Sequence, residues 1–231
     1  MTSRQTLFIA AAFVCLQFAT QAGELFNGKD LTGWRKPIGE WTAAKDVAMD
    51  ASDAEKFKLT VGEGILVNGA KGKTVNLATE AEFGDIEAHV EFWIPKHSNS
   101  GVYVMGRYEI QIYDGETKYP GQECGGIYGR AVGEQTIEGH SPLVNADKGP
   151  GEWQSFDITF RAPRFDAAGK KTANAKFVKV VFNGKVIHEN VEINGPTRSA
   201  MFQQEKATGP IMLQGNHGPV AFRNLRIKPS N

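Results

Sequence analysis

The sequence predicts an all-β protein built as a two-sheet antiparallel sandwich. Runs in which apolar and polar residues alternate recur along the chain, each bounded by Gly, Pro or Asn. Asn183-Gly184 joins two such runs and signals a hairpin, because the tight turn needs positive φ angles that Asn and Gly tolerate. No stretch carries a sustained 3.6-residue apolar period, so helix is expected at most as a turn around Ala51–Lys56. The candidate strands are Phe57–Val61, Gly64–Val67, Val75–Ala78, Ile86–Ile94, Val102–Met105, Tyr108–Tyr113, Gln154–Arg161, Lys176–Phe182, Val186–Val191, Pro210–Leu213 and Val220–Ile227. Strands with one apolar and one polar face need a second layer to cover the apolar side, hence two sheets.

Residues 1–22 read as a secretory signal peptide and residues 23–231 as a single domain. Arg4 is the only charged residue before Glu24, Leu7 to Ala19 is nearly all apolar, and Thr20-Gln21-Ala22 offers a small-residue exit. Cys15 follows Val14, not the small residue that lipoprotein processing prefers, so release after Ala22 is expected, into a periplasmic or extracellular space. No segment approaches the ~20 apolar residues of a membrane span. Export leaves Cys124 alone, with no intramolecular disulfide to form. No Cys/His signature surrounds it, which favours a packed thiol over a nucleophile. The 26 basic and 26 acidic residues balance, which argues against a nucleic-acid partner.

The stretch Asn99–Asp114, NSGVYVMGRYEIQIYD, is the richest in chemistry. Side chains of a strand alternate between faces. Glu109, Gln111 and Tyr113 therefore share one face and Ile110 and Ile112 the other, which belongs in a core. A row of carboxylate, amide and phenol suits a hydroxyl-rich ligand; an ordinary wet sheet face explains the same pattern. Gly115 to Glu152 follows, with nine glycines and no long apolar run. Irregular segments of this length are uncommon in compact domains and are often functional. Leaving from the Glu109 row, it is expected to fold over that face as a lid or wall, with Tyr119, Tyr128 and His140 as lining side chains.

Seven segments in order, LFNGKDLTGWR (25–35), NSGVYV (99–104), YEIQIYD (108–114), GGIYG (125–129), GEWQSFDITFRA (151–162), VFNGKVIHENVEINGPT (181–197) and GPIMLQGNHGPVAFRNLRI (209–227), resemble the 3-keto-disaccharide hydrolase domain family, long classed as a domain of unknown function. The resemblance runs from about Leu25 to about Pro229. It implies a concanavalin A-like jelly roll of the lectin and glucanase type. It also implies that DIEAHVEFWIP, NSGVYVMG and YEIQIYD are three adjacent strands lining a concave face. Glucanases of that fold carry an E-x-D-x-E row, whereas this chain has Glu109, Gln111 and Tyr113. A retaining glycosidase needs two carboxyl groups ~5–5.5 Å apart, and neither Gln111 nor Tyr113 supplies the second.

A 3-keto sugar permits other chemistry. The ketone acidifies the proton on the second carbon; its removal gives an enolate, the glycosidic oxygen leaves by β-elimination, and water adds to the enone. That route needs a base, a donor or metal for the enolate oxygen, and an acid for the leaving group. The resemblance thus implies Glu109 as base. His217, in the Gly-flanked loop of LQGNHGPV, is the second catalytic candidate, and the ordinary histidine pKa of about 6.5 suits acid-base work. Gln111, Tyr113, Tyr128, Gln214, Asn99 and Trp93 are the expected substrate contacts, Trp93 as a sugar platform. Glu87, His89 and Glu91 alternate along one strand face and could hold a divalent metal or flank Glu109; a solvated face explains them as well. Trp34, Trp41 and Trp153 are expected as packing anchors, and Arg223 and Asn224 as braces. The competing expectation is a non-catalytic carbohydrate-binding module of the same fold.

Overall fold

The computed structural model describes residues 23–230; the predicted signal segment, residues 1–22, lies outside the described residues. Among these, sixteen strands and no helix occur. They are β1 (Gly23–Glu24), β2 (Thr42–Met49), β3 (Phe57–Val67), β4 (Leu77–Ala78), β5 (Ile86–Trp93), β6 (Asn99–Val104), β7 (Tyr108–Tyr113) and β8 (Arg130–Val132). There follow β9 (Gln135–Ile137), β10 (Gln154–Arg161), β11 (Arg164–Phe165), β12 (Lys171–Ala173), β13 (Ala175–Phe182), β14 (Lys185–Ile193), β15 (Met212–Leu213) and β16 (Ala221–Pro229).

The larger sheet runs β14-β13-β10-β5-β16-β3-β2, with β1 paired to β16; the smaller runs β4-β15-β6-β7. All these pairings are antiparallel. The inner faces of the two sheets share one apolar core. Phe156 of the larger sheet stacks on Phe92 at 5.0 Å and lies 4.7 Å from Phe182. Tyr108 of the smaller sheet reaches Phe160 of the larger at 5.4 Å. Ile110 and Ile112 are fully buried in this core, as the alternation along β7 predicts. The Asn183-Gly184 turn between β13 and β14 has φ of 49° and 82°, the doubly positive conformation that this dipeptide suits.

The structure departs from these expectations at four points. β5 does not lie beside β6 and β7; it sits between β10 and β16 in the larger sheet, leaving only β6 and β7 adjacent in the smaller. Its Glu87, His89, Glu91 and Trp93 alternate with the core-facing Val90 and Phe92 and therefore project from the outer face of the larger sheet. β2 was not legible because its pairing with β3 slips at Ala44, which opposes both Ile65 and Val61, and the slip breaks the period of two. Residues 51–56 form successive turns rather than helix, tied by the Asp50 carboxylate to the Ser52 amide at 2.7 Å. The predicted strand at Val75–Ala78 shortens to Leu77–Ala78.

Truncating the aromatic stack measures the core directly. Phe156→Ala should lower the free energy of unfolding by about 3–5 kcal/mol. Val61→Ala, on a side chain 93 % exposed, should stay within about 0.5 kcal/mol of the parent. Urea unfolding followed by tryptophan fluorescence reads both.

Candidate active site

Register across the smaller sheet builds the site. Met212 pairs with Tyr103, and Tyr103 with Glu109, so these side chains stand in one lateral row on the outer face. Beyond β7 the row continues through Tyr128, whose amide donates to the Glu109 carbonyl at 3.1 Å. A second row joins Gln214, whose amide donates to the Gly101 carbonyl at 3.0 Å, to Gly101 and its partner Gln111. It ends at Gly126, whose carbonyl accepts from the Gln111 amide at 2.9 Å. The GGIYG segment of the long loop thus runs along the free edge of β7. Gly121, Gly126, Gly129 and Gly139 lie within van der Waals reach of one another's backbones there, which explains the glycine content of the loop.

One small pocket gathers Asn99, Tyr103, Glu109, Gln111, Tyr128, Arg198, Ser199, Gln214 and His217. Its volume is about 50 Å³, room for a few waters and far below the roughly 300 Å³ that engulfs a small ligand. A ligand therefore presents one edge here. Glu109 is its only carboxyl. The side chain lies flat over Gly101, where an added Cβ would sit 2.9 Å from Glu109 Cδ; only glycine leaves that space. Gln111, its amide nitrogen turned toward the acceptors, donates to Glu109 Oε1 at 3.2 Å and to the Ser100 carbonyl at 2.9 Å. The Tyr103 hydroxyl also contacts the carboxyl and receives the Gln214 amide at 3.4 Å.

Burial pushes the Glu109 carboxyl up from 4.5 to about 8, against the opposing hydrogen bond from Tyr103. Burial likewise raises the phenols of Tyr103 and Tyr128, the latter helped by its hydroxyl contact with Tyr119. Gln214 is 6 % exposed and its Oε1 is a buried acceptor without a partner, facing the pocket. Such an orphan suits a ligand hydroxyl. His217 stands exposed at the rim, Nδ1 at 2.5 Å from Asn216 Oδ1.

Glu109, His217, Gln111, Tyr128, Gln214 and Asn99 therefore meet as the sequence suggested, and Tyr113 and Trp93 do not. Tyr113 lies at the far end of β7 in a neighbouring cavity of about 310 Å³ with Asp114, Glu123 and Asp147, its hydroxyl donating to the Glu116 carbonyl at 3.2 Å. Trp93 packs 5.5 Å from Phe57 in an apolar cluster on the outer face of the larger sheet, so it offers no platform to the pocket. Glu87, His89 and Glu91 occupy that same remote face and cannot flank Glu109. They are engaged elsewhere: Lys228 approaches Glu87 at 3.5 Å, Asp157 holds His89 Nδ1 at 2.6 Å, and Arg223 and Asn224 each bond Glu91 at 2.6 Å. Among the described residues no group of three His, Cys, Asp or Glu is arranged to hold a metal ion. Arg223 also lies 4.0 Å over the Trp153 ring. His140 contributes backbone bonds to Ile127 rather than a lining side chain. Cys124 is a buried free thiol whose pKa burial raises.

Sequence reading missed Tyr103, Arg198 and Ser199. Tyr103 was within reach, since Asn99, Gly101 and Tyr103 alternate on β6 as Glu109 and Gln111 do on β7. Arg198 and Ser199 sit in an irregular segment where no period could point to them.

A two-sheet antiparallel protein with a small polar pocket on its outer face, closed by a long loop around one buried carboxyl, is the class that these features define. The chain matches the profile of the 3-keto-alpha-glucoside-1,2-lyase-like domain, the 3-keto-disaccharide hydrolase family, over residues 21–228, and it belongs to that family of carbohydrate-acting proteins. A protein from Parabacteroides distasonis, provisionally described as a glycosyl hydrolase, is 30 % identical with a TM-score of 0.64, over 90 % of this chain and 84 % of that one. A second from the same organism, described in the same terms, shares the fold at 21 % identity and a TM-score of 0.58, over 91 % of this chain and 100 % of that one. No curated protein matches the chain.

The raised Glu109 pKa has a consequence for stability. Between 4.5 and about 8 the folded state keeps a proton that the unfolded state has lost, so stability falls as pH rises through that window. By pH 7 the loss is on the order of 3 kcal/mol. Glu109→Gln removes the titration. Its gain in melting temperature over the parent should therefore grow from about pH 4.5 to about pH 8, whereas a constant offset would show an ordinary carboxyl at this position.

Proposed function

We propose that the chain is an exported enzyme that cleaves 3-keto-glycosides or 3-keto-disaccharides by α-proton abstraction, β-elimination and hydration. The observation that carries this reading is the lone buried Glu109 carboxyl facing the pocket, its pKa near 8. A base of that strength accepts a proton from carbon next to a ketone far better than an ordinary carboxylate does. The single carboxyl in the pocket fits elimination and not a two-carboxylate displacement. Family membership, and the provisional description of the Parabacteroides relatives as glycosyl hydrolases, support a glycoside as substrate. The strand order of the two sheets supports a concanavalin-like jelly roll, and the sequence of residues 1–22 supports export.

In this mechanism the sugar presents its C2–C3 edge to the pocket. Glu109 takes the C2 proton while Gln111 and Tyr103 hold the carboxylate in place. Gln214 Oε1 accepts from a ring hydroxyl. His217 at the rim protonates the departing glycosidic oxygen; water then adds at C1, giving its proton to His217, while Glu109 returns its proton to C2. A binding module would have no use for a carboxyl that costs stability at neutral pH, and the aromatic platform expected of one, Trp93, is packed in the other sheet.

Incubation with a 3-keto-disaccharide and with its unoxidised parent tests the reading: free monosaccharide should appear only from the former. Glu109→Gln should cut turnover roughly 10²–10⁴-fold with the fold intact. Gly101→Ala should do comparable damage by displacing the carboxyl. With aryl 3-keto-glucosides, whose leaving group needs no proton, the rate should rise with pH through about 8 as Glu109 ionises. His217→Asn should impair substrates with poor leaving groups more than aryl 3-keto-glucosides. Cleavage of the parent disaccharide alone, or normal turnover by Glu109→Gln, would refute the mechanism.

A further inference from the structure

Arg198 is the one permanently charged cation among the pocket residues, and no carboxylate pairs with it among the described residues. Its Nη1 donates to the Glu134 carbonyl at 3.0 Å and to Thr136 Oγ1 at 3.3 Å, both neutral acceptors. Nε and Nη2 donate to no described protein group, which leaves part of a five-donor fork unused.

The backbone that presents this side chain is held from several directions. Thr197 bonds the Arg107 carbonyl twice, through its amide at 2.8 Å and its hydroxyl at 2.9 Å. The Arg198 amide donates to Gly129 at 2.8 Å, and Met201 to Gly106 at 2.9 Å. Ala200 closes a turn onto the Thr197 carbonyl at 3.1 Å, and within that turn Ser199 has φ of 65°. A serine in the left-handed region is strained. Strain of this kind persists where the surroundings over-determine the backbone, and here it fixes the residue that carries the unused donors.

We propose that Arg198 is a catalytic residue that stabilises the enolate oxygen formed when Glu109 abstracts the C2 proton; the proposal rests on the elimination reading above. The electron accounting asks for such a group. The Glu109 carboxylate takes the proton, the C2–H pair becomes the C2=C3 bond, and the carbonyl pair moves onto O3. The negative charge thus passes from Glu109 to O3 inside a pocket whose other members, apart from His217 at its rim, are neutral. When the O3 pair returns, C3=O re-forms, C1=C2 forms and the C1–O1 bond breaks. The departing oxygen takes its proton from His217. An arginine with free donors at the pocket wall offsets the charge at the moment it develops, which lowers the barrier rather than merely tightening binding.

The test separates enolate formation from cleavage. A 3-keto-1,5-anhydroglucitol carries no glycosidic oxygen on C1, so no aglycone can leave, and in D₂O proton abstraction is read as exchange of its C2 hydrogen, which NMR follows. The parent enzyme should exchange it. Arg198→Gln should slow exchange and the cleavage of 3-keto-disaccharides alike, by roughly 10²–10³ in kcat with little change in KM. Added guanidinium ion should restore exchange to Arg198→Ala and not to Glu109→Gln, a rescue that a structural role for Arg198 would not give. Undiminished exchange by Arg198→Gln, a rise in KM alone, or failure of rescue in a folded Arg198→Ala would overturn the assignment while leaving Glu109 as base. If the parent neither exchanges nor cleaves, the elimination reading falls and this assignment with it.

Discussion

The constraint on which the rest of the site depends is the burial of one carboxyl group. An isolated carboxylate removed from water is costly, and the group answers by holding its proton to higher pH. The structure accepts this cost rather than relieving it. No Lys or Arg is paired with Glu109, and its partners are an amide and a phenol. A salt bridge would stabilise the fold and lower the pKa together, removing the property that makes the group useful as a base. Glycine at position 101, directly beneath the carboxyl, and the GGIYG segment across β7 are what permit such burial on the outer face of a sheet.

That face is wet in most antiparallel sheets and dry here because of two-dimensional register. Ile110 and Ile112 lock β7 onto the aromatic core, so Glu109 and Gln111 must face outward. Pairing with β6 then fixes Tyr103 and Gly101 beside them, β15 brings Gln214, and the loop edge brings Tyr128. The packing that stabilises the sandwich and the geometry that assembles the pocket are therefore one set of constraints. His188, itself buried and held toward its neutral form by that burial, joins Gly125 to the larger sheet through a 2.7 Å bond and so ties the loop edge back to the core.

The sequence carried the parts of this that follow from a period of two. The alternation in β7, the hairpin at Asn183-Gly184 and the place of Tyr128 from the glycine-rich loop in the pocket wall were all legible. Which strands share a sheet was not, because pairing is decided by contacts distant in sequence. The family resemblance implied β5 as a neighbour of β6, yet it lies in the opposite layer, which carried Trp93, Glu87, His89 and Glu91 away from the site. Tyr113 failed for a different reason. It shares the face of Glu109, but the chain folds back just beyond it, and Tyr113 turns into a separate cavity. Arg198 was invisible because its position depends on hydrogen bonds from a segment without periodicity.

Those bonds converge on a single hairpin. The turn between β6 and β7 supplies the Arg107 and Gly106 carbonyls that hold Thr197 and Met201, and the buried Arg107 guanidinium donates to Gln204 at 2.8 Å and lies 5.0 Å from the Phe202 ring. A guanidinium 3 % exposed and bonded only to carbonyls is an expensive fastener. Its cost is intelligible if the segment from Thr197 to Thr208 must keep one conformation. The same hairpin carries Glu109 and Gln111 on its second strand and Tyr103 and Gly101 on its first. A base and the cation that lines the same pocket are therefore referred to one rigid element rather than to two independently moving loops. Positional error between them is then limited by a four-residue turn, the precision that transfer of charge from carboxylate to enolate requires.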